Sequence, residues 1–325
     1  MSLFIDSHCF ADAYRELLDA LVNRPDFVCR PRGMEVKELI APTIRITDPT
    51  DRLLKSDARS TPIKYMSGEF LWYFSGRHDP EFITKYSAFW NQIKNPKPVV
   101  GVDVHEGKVN SSYGRLSFSS VWSDASWEGR GITQWEWAIR SIARDIDTRQ
   151  AIVHINRPSH QVDWIKDFPC TMHFQFLVRG NALHMVVGMR SNDVVKGTTF
   201  DIPMFGFFQE TMLHHLRSAH ELIPSAPKEL RSLTLGHLTL TANSSHLYER
   251  DYETARMMLD GGISGEGSEP LYEPPFYWAS DDDGTWRAVL GDHFSVLYAK
   301  ADKGLALHPA QGKLSGIYKR MYESI

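Results

Sequence analysis

The sequence is poor in cysteine. It has three thiols, Cys9, Cys29 and Cys170, in 325 residues. An odd, sparse set at irregular spacing is no disulfide framework, and none of the three sits in a zinc-ligand pattern. Runs of lysine and arginine are also missing, and the formal net charge is −4. Binders of polymeric DNA usually carry a basic footprint. A small ligand is therefore the better expectation, with no polymeric nucleic acid required. No stretch approaches the roughly 20 apolar residues of a membrane span. The opening "MSLFIDSHCFADAYRELLDALVN" has apolar residues at helical spacing, not the unbroken apolar core of a signal peptide. These absences point to a cytosolic protein with free thiols and no membrane partner.

What is present suffices for a large core. Hydrophobic residues make up 42% and aromatic ones 12%, which argues against wholesale disorder. Phe10, Tyr14, Leu17, Leu18 and Leu21 predict an amphipathic helix over residues 8–23. "PTIRIT" (42–47) alternates like a strand. Residues 65–75, "YMSGEFLWYFS", are apolar nearly all round and predict a buried helix around Glu69. A helix over 133–146 precedes a short strand, "QAIVHI". Residues 171–178 alternate, "RGNA" turns, and "LHMVVGM" returns as a β-hairpin. Residues 202–219 read as a helix with Asp201 as its N-cap and Pro203 in its first turn. A strand, "LTLGHLTLT", and a helix, "YERDYETARMML", follow. Residues 261–275 are rich in Gly and Pro and read as a loop. Strands and helices mix without a βαβ rhythm, so the expected class is α+β.

Several residues could carry chemistry. Cys170, behind Pro169 at a strand start, is either a small buried hydrophobe or a nucleophile whose pKa Arg190, on the returning strand, would lower. Arg190 with Ser191 offers a fork and a hydroxyl to a phosphate. Arg149 is a second such arginine, just before a strand. Glu69 either points outward or is a carboxyl with a raised pKa, suited to proton transfer.

Taken together, "GEFLWYFSG", "YGR" (113–115), "DTRQAIV" (147–153), "FPC", "QF", "RSNDV", "G..FD" and "HLY" resemble the thymidylate synthase superfamily in order and spacing, from about Glu69 to Tyr248. The resemblance implies a mixed sheet with flanking helices, and a homodimer across the sheet. It implies that Cys170 adds to C6 of a pyrimidine nucleotide and that Glu69 manages proton transfers through water. It implies phosphate ligands in Arg190, Ser191 and Arg149, the last lent by the other subunit, with Arg32 of "RPRG" as a further phosphate arginine. Gln175 falls among the implied substrate-binding positions, His246 and Tyr248 match ligands of the sugar hydroxyl, and Asp193 and Trp90 match residues around the folate. The implied co-substrate is 5,10-methylenetetrahydrofolate, and no metal is implied. The expected layout is a catalytic domain over 1–275 and a C-terminal extension or lid over 276–325.

There are departures. Thr171 replaces the histidine after the nucleophile, Gln150 the second arginine of a pair, and Thr199 a proline. Asp201 stands where thymidylate synthases have the asparagine that reads uracil. As a helix cap, Asp and Asn are about equal. As a reader of the base they differ. Cytosine presents an N3 acceptor and an N4 donor, and N3 becomes basic when a thiolate adds to C6. A carboxyl can share a proton with N3, and an amide cannot. Aspartate here is also what the phage deoxycytidylate hydroxymethylase branch resembles itself in carrying. The expected substrate is thus dCMP and the expected product 5-hydroxymethyl-dCMP, in a host cytoplasm if the source is a phage. Alternatives are methylation to 5-methyl-dCMP, hydroxymethylation of CMP, and a non-catalytic member that binds nucleotide or RNA. Retention of Cys170, Glu69 and Asp201 together speaks against the last.

Overall fold

The computed structural model describes residues 3–102, 104–119, 125–281, 285–303 and 314–325. The helical spacing at the N-terminus becomes α1 (Phe10–Asn23) beside strand β1 (Phe4–Ser7). Strands β2 (Phe27–Cys29), β3 (Val36–Ile40) and β4 (Thr43–Ile46) follow, then α2 (Ile63–Phe74) and α3 (Gln134–Arg144). Next come β5 (Ile152–His154) and the hairpin of β6 (Thr171–Arg179) and β7 (Ala182–Met189). Its turn places Gly180 and Asn181 at φ 57° and 60°, the two positive-φ positions that a type I′ turn requires. Strand β8 (Asn192–Asp193), helix α4 (Thr198–Arg217), strands β9 (Thr234–Ala242) and β10 (Ser244–Tyr248), and helix α5 (Tyr252–Gly261) complete this part.

Six strands form the main sheet in the order β1-β4-β9-β7-β6-β5. The β1–β4 and β7–β9 pairs are parallel, and the others are antiparallel. A second sheet has the order β8-β10-β3-β2. The architecture is the expected α+β mixed sheet with flanking helices. One face of the main sheet is core: Phe174, Phe176, Leu183, Met185, Val187, Leu238 and Leu240 are buried, and α4 packs on β7 and β9. The other face carries Arg45, Gln175, Leu177, His184 and His237, all half-buried, and Phe4, which is exposed.

One expected boundary is corrected. Helix α4 begins at Thr198 with Gly197 in the cap position, not at residue 202. Asp201 lies inside the first turn, where its own amide donates to Gly197 O (2.9 Å). Pro203 is inside the helix. It has no N–H for the carbonyl four residues back, and the Thr199 hydroxyl donates to Val195 O (3.0 Å).

Beyond the loop, β11 (Phe276–Ser280) and β12 (Trp286–Leu290) pair as a hairpin, and α6 (Asp292–Lys303) and α7 (Gly316–Ser324) follow. These helices pack on α2. Phe70 meets Phe294 and Tyr318 at 5.8 and 6.0 Å between ring centroids, and the Ser67 and Ser324 hydroxyls lie 3.0 Å apart. At about 100° per residue, Ser67 and Phe70 point away from the stripe formed by Tyr65, Glu69 and Tyr73. Among the described residues no helix is long and apolar enough to cross a membrane.

Candidate active site

The β6–β7 hairpin sets the first two groups. Thr171 pairs with Met189 at the open end of the hairpin, so Cys170 and Arg190 are the next residues out. The Arg190 amide donates to Cys170 O (2.8 Å). Its guanidinium donates to Pro169 O (3.1 Å) and Phe168 O (2.6 Å) and stands 3.7 Å from Cys170 Sγ. The expected lowering of the thiol pKa is corrected. Burial pushes Cys170 up to about 11, with Asp201 and Asp167 acting in the same direction, and the pull of Arg190 and Arg32 does not offset it. For this half-buried thiol the loss of water contact outweighs one partly screened cation, so its pKa rises instead of falling.

Glu69 faces inward from α2 and is 6% exposed. Tyr65 and Tyr73, four residues to either side, both donate to Oε1, at 3.2 and 3.3 Å. Burial lifts the carboxyl to about 7, although the two phenols pull it down. Trp90 Nε1 donates to the Tyr65 hydroxyl (3.1 Å), so one hydrogen-bonded chain joins Trp90 to Glu69. The carboxyl is thus poised to take up or release a proton near neutrality.

Asp201 does not cap its helix. Its Oδ2 accepts from Asn192 Nδ2 (2.8 Å). Burial holds its carboxyl well above the usual carboxylate range, and the charges of Glu69 and Asp193 add to this. A neighbouring carboxylate disfavours ionisation of a second carboxyl. Tyr113, of the "YGR" segment, lies in the same field: after burial, Asp201 and Cys170 are the largest contributors to the raised pKa of its phenol.

The other expected residues divide into two groups. Arg32 is exposed, holds a left-handed φ of 53°, and sends its charge to the Cys170 thiol. A non-glycine residue in that conformation is uncommon. Asp193 Oδ1 accepts from the amides of Val195 (2.9 Å) and Lys196 (3.0 Å), and Asp193 pairs with His246 across β8 and β10. The Tyr248 ring stands edge-on to His246 at 5.0 Å. Ser191 is half-buried, one residue from Arg190. The structure does not bring Gln175 or Arg149 to this cluster. Gln175 is turned to the half-buried face of the sheet, where its amide donates to Arg149 O (2.7 Å). Arg149 is exposed, and among the described residues no hydrogen bond or ion pair engages its guanidinium. Sequence reasoning passed over Tyr65, Tyr73, Tyr113 and Asn192. The two tyrosines were legible as the positions four before and four after a buried glutamate. Asn192 carried no signal. Among the described residues no group of three or more His, Cys, Asp or Glu is placed to hold a metal.

The family described as Thymidylate synthase matches residues 12–262. The chain is 26% identical over 241 residues to the deoxycytidylate 5-hydroxymethyltransferase of Enterobacteria phage T4, covering 72% of this chain and 85% of that one. The protein of the same name from Enterobacteria phage T6 is also 26% identical over 241 residues, with the same coverage. The deoxyuridylate hydroxymethyltransferase of Bacillus phage SP01 is 29% identical over 188 residues, covering 57% of this chain and 46% of that one.

Proposed function

The chain belongs to the thymidylate synthase family, and on that premise we propose that it hydroxymethylates C5 of dCMP. The coarser statement needs no proposal: it is a folate-dependent one-carbon transferase with 5,10-methylenetetrahydrofolate as co-substrate. The observation that carries the finer reading is Asp201, a carboxyl whose pKa burial holds well above the usual range, with the charges of Glu69 and Asp193 adding to the shift.

In this reading Cys170 is the nucleophile. Its thiol gives up its proton to water, the thiolate adds to C6 of the base, and electron density moves toward N3. Asp201, as an acid, gives N3 the proton it then demands, and its carbonyl oxygen can accept from the N4 amino group. When the thiolate departs, N3 returns its proton to Asp201. Arg190, Ser191 and Arg32 hold the phosphate, and His246 and Tyr248 the sugar hydroxyl. Glu69, held near 7, serves proton loss from C5 and activates the water that completes the hydroxymethyl group. Methylenetetrahydrofolate supplies the one-carbon unit when bound. The residues present suit it: half-buried Asp193 offers an acceptor for its N–H groups, and buried Trp90 is tied through Tyr65 to Glu69. Relatives named for dCMP and for dUMP both transfer a hydroxymethyl group, which supports that product over a methyl group. Asp201 favours the cytosine substrate of the two.

The homodimer is part of the same proposal. The half-buried face of the main sheet, with exposed Phe4 on it, suits a second copy, and exposed Arg149 could then reach the partner's site. The experiment that tests the substrate is Asp201→Asn. It should depress kcat/KM for dCMP and raise it for dUMP. Unchanged ratios for the two nucleotides would remove Asp201 from base recognition.

A further inference from the structure

Asp201 can read cytosine only if its proton is on the oxygen that meets N3. A carboxyl has two oxygens and can rotate, so burial alone does not choose between them. The choice is made one step back, at Asn192. This side chain is 2% exposed, on β8, five residues before Gly197. Its Nδ2 donates to Asp201 Oδ2 (2.8 Å), and its Oδ1 accepts from the Thr198 hydroxyl. The amide could in principle be turned over, since its nitrogen and oxygen have the same shape. Met189 Sδ, 3.4 Å from Nδ2, argues against that, because a thioether accepts and cannot donate. The absence of a side chain at Gly197 makes room for this arrangement: a Cβ there would lie 3.2 Å from Asp201 Oδ2 and 2.8 Å from Asp193 O.

We propose that Asn192 is the positioning residue of base recognition, fixing the acid proton of Asp201 on Oδ1. An N–H donor favours the more basic carbonyl oxygen over the hydroxyl oxygen, which makes Oδ2 the carbonyl oxygen of the neutral acid and leaves the hydrogen on Oδ1. No described side chain donates to or accepts from Oδ1. A hydroxyl donor held in one place matches the N3 acceptor of cytosine and opposes the N3–H of uracil. The preference thus belongs to a relay of Thr198, Asn192 and Asp201. The inference rests on the dCMP reading for its substrate; the choice of oxygen rests on the Asn192 contact, and the presence of the proton on the burial of the carboxyl.

Two measurements test it on the full-length protein. One is the titration of the Asp201 carboxyl, followed by carbon-13 NMR without nucleotide. The other is the ratio of kcat/KM for dCMP to that for dUMP. In Asn192→Ala the carboxylate loses a donor, so its titration should move to higher pH. The ratio should fall about tenfold, the upper worth of one hydrogen bond. Thr198→Val keeps Asn192 but removes the hydroxyl that holds its Oδ1, so the amide is less firmly placed, and should lower the ratio in the same direction even if Asn192→Ala does not fold. Unchanged selectivity in Thr198→Val, or an unmoved titration in Asn192→Ala, would overturn the proposal. Failure of the unaltered protein to act on dCMP would instead overturn the functional reading, and the titration would still decide whether Asn192 governs the proton.

Discussion

Glu69→Gln should stabilise the nucleotide-free protein, and only where Glu69 would be ionised. Burial holds this carboxyl at about 7 against an ordinary value of 4.5. An unfolded chain loses that proton near its ordinary value, and the folded chain keeps it until about neutrality. Folding stability from this group is therefore fully present below pH 4.5 and is lost as pH rises through about 7. At 6% exposure the carboxyl is little screened, and the loss is on the order of 3 kcal/mol once both states are ionised. Glutamine has nothing to ionise, keeps an oxygen for Tyr65 and Tyr73, and is nearly the same shape. Urea unfolding at acid pH should find the two proteins alike. At mildly alkaline pH the glutamine variant should be more stable by most of that amount, while its turnover is far below that of the parent. A gain that is equal at both pH values would refute the reasoning, because amide packing would then explain it without a buried charge.

Three further outcomes follow from the same geometry. Cys170→Ser should lose turnover by orders of magnitude yet still bind nucleotide, measured by calorimetry, because Arg190 and Ser191 are untouched. Near-normal turnover by the serine variant would displace Cys170 as nucleophile. Mixing Cys170→Ala with Arg149→Ala protein should restore part of the activity, since a hybrid dimer holds one site with both residues intact. No recovery despite demonstrated subunit exchange would confine Arg149 to its own subunit or remove it from the site. Turnover of dCMP should decline at alkaline pH as Asp201 gives up its proton, whereas Asp201→Asn acting on dUMP should lack that limb; identical profiles would assign the decline to another group.

Much of the frame was legible because period and punctuation agreed. The alternation of 171–178, the Gly-Asn turn and the returning apolar run fixed the hairpin, and with it the meeting of Cys170 and Arg190. Helix α2 was legible from its all-round apolar pattern. The start of α4 was not. Proline is costly inside a helix, so Pro203 suggested a later start and made Asp201 look like a cap. The helix begins four residues earlier, with Gly197 at its cap, and the Asp201 carboxyl meets Asn192 from inside the first turn. The direction of the Cys170 shift was also hidden. Sequence shows a neighbouring arginine but not how far the thiol is removed from water, and here burial is the larger effect. The packing of residues beyond 276 on the back of α2 is a long-range match of Phe294 and Tyr318 with Phe70, which no local pattern announces.

The most direct test of the central claim is mass spectrometry of the nucleotide formed from dCMP, CMP or dUMP with methylenetetrahydrofolate in heavy-oxygen water. The account predicts that dCMP is the preferred substrate and gains a hydroxymethyl group whose oxygen comes from the labelled water, with tetrahydrofolate left behind. A product from dUMP alone would contradict the role given to Asp201. An unlabelled, methylated nucleotide accompanied by dihydrofolate would contradict the hydroxymethyl transfer.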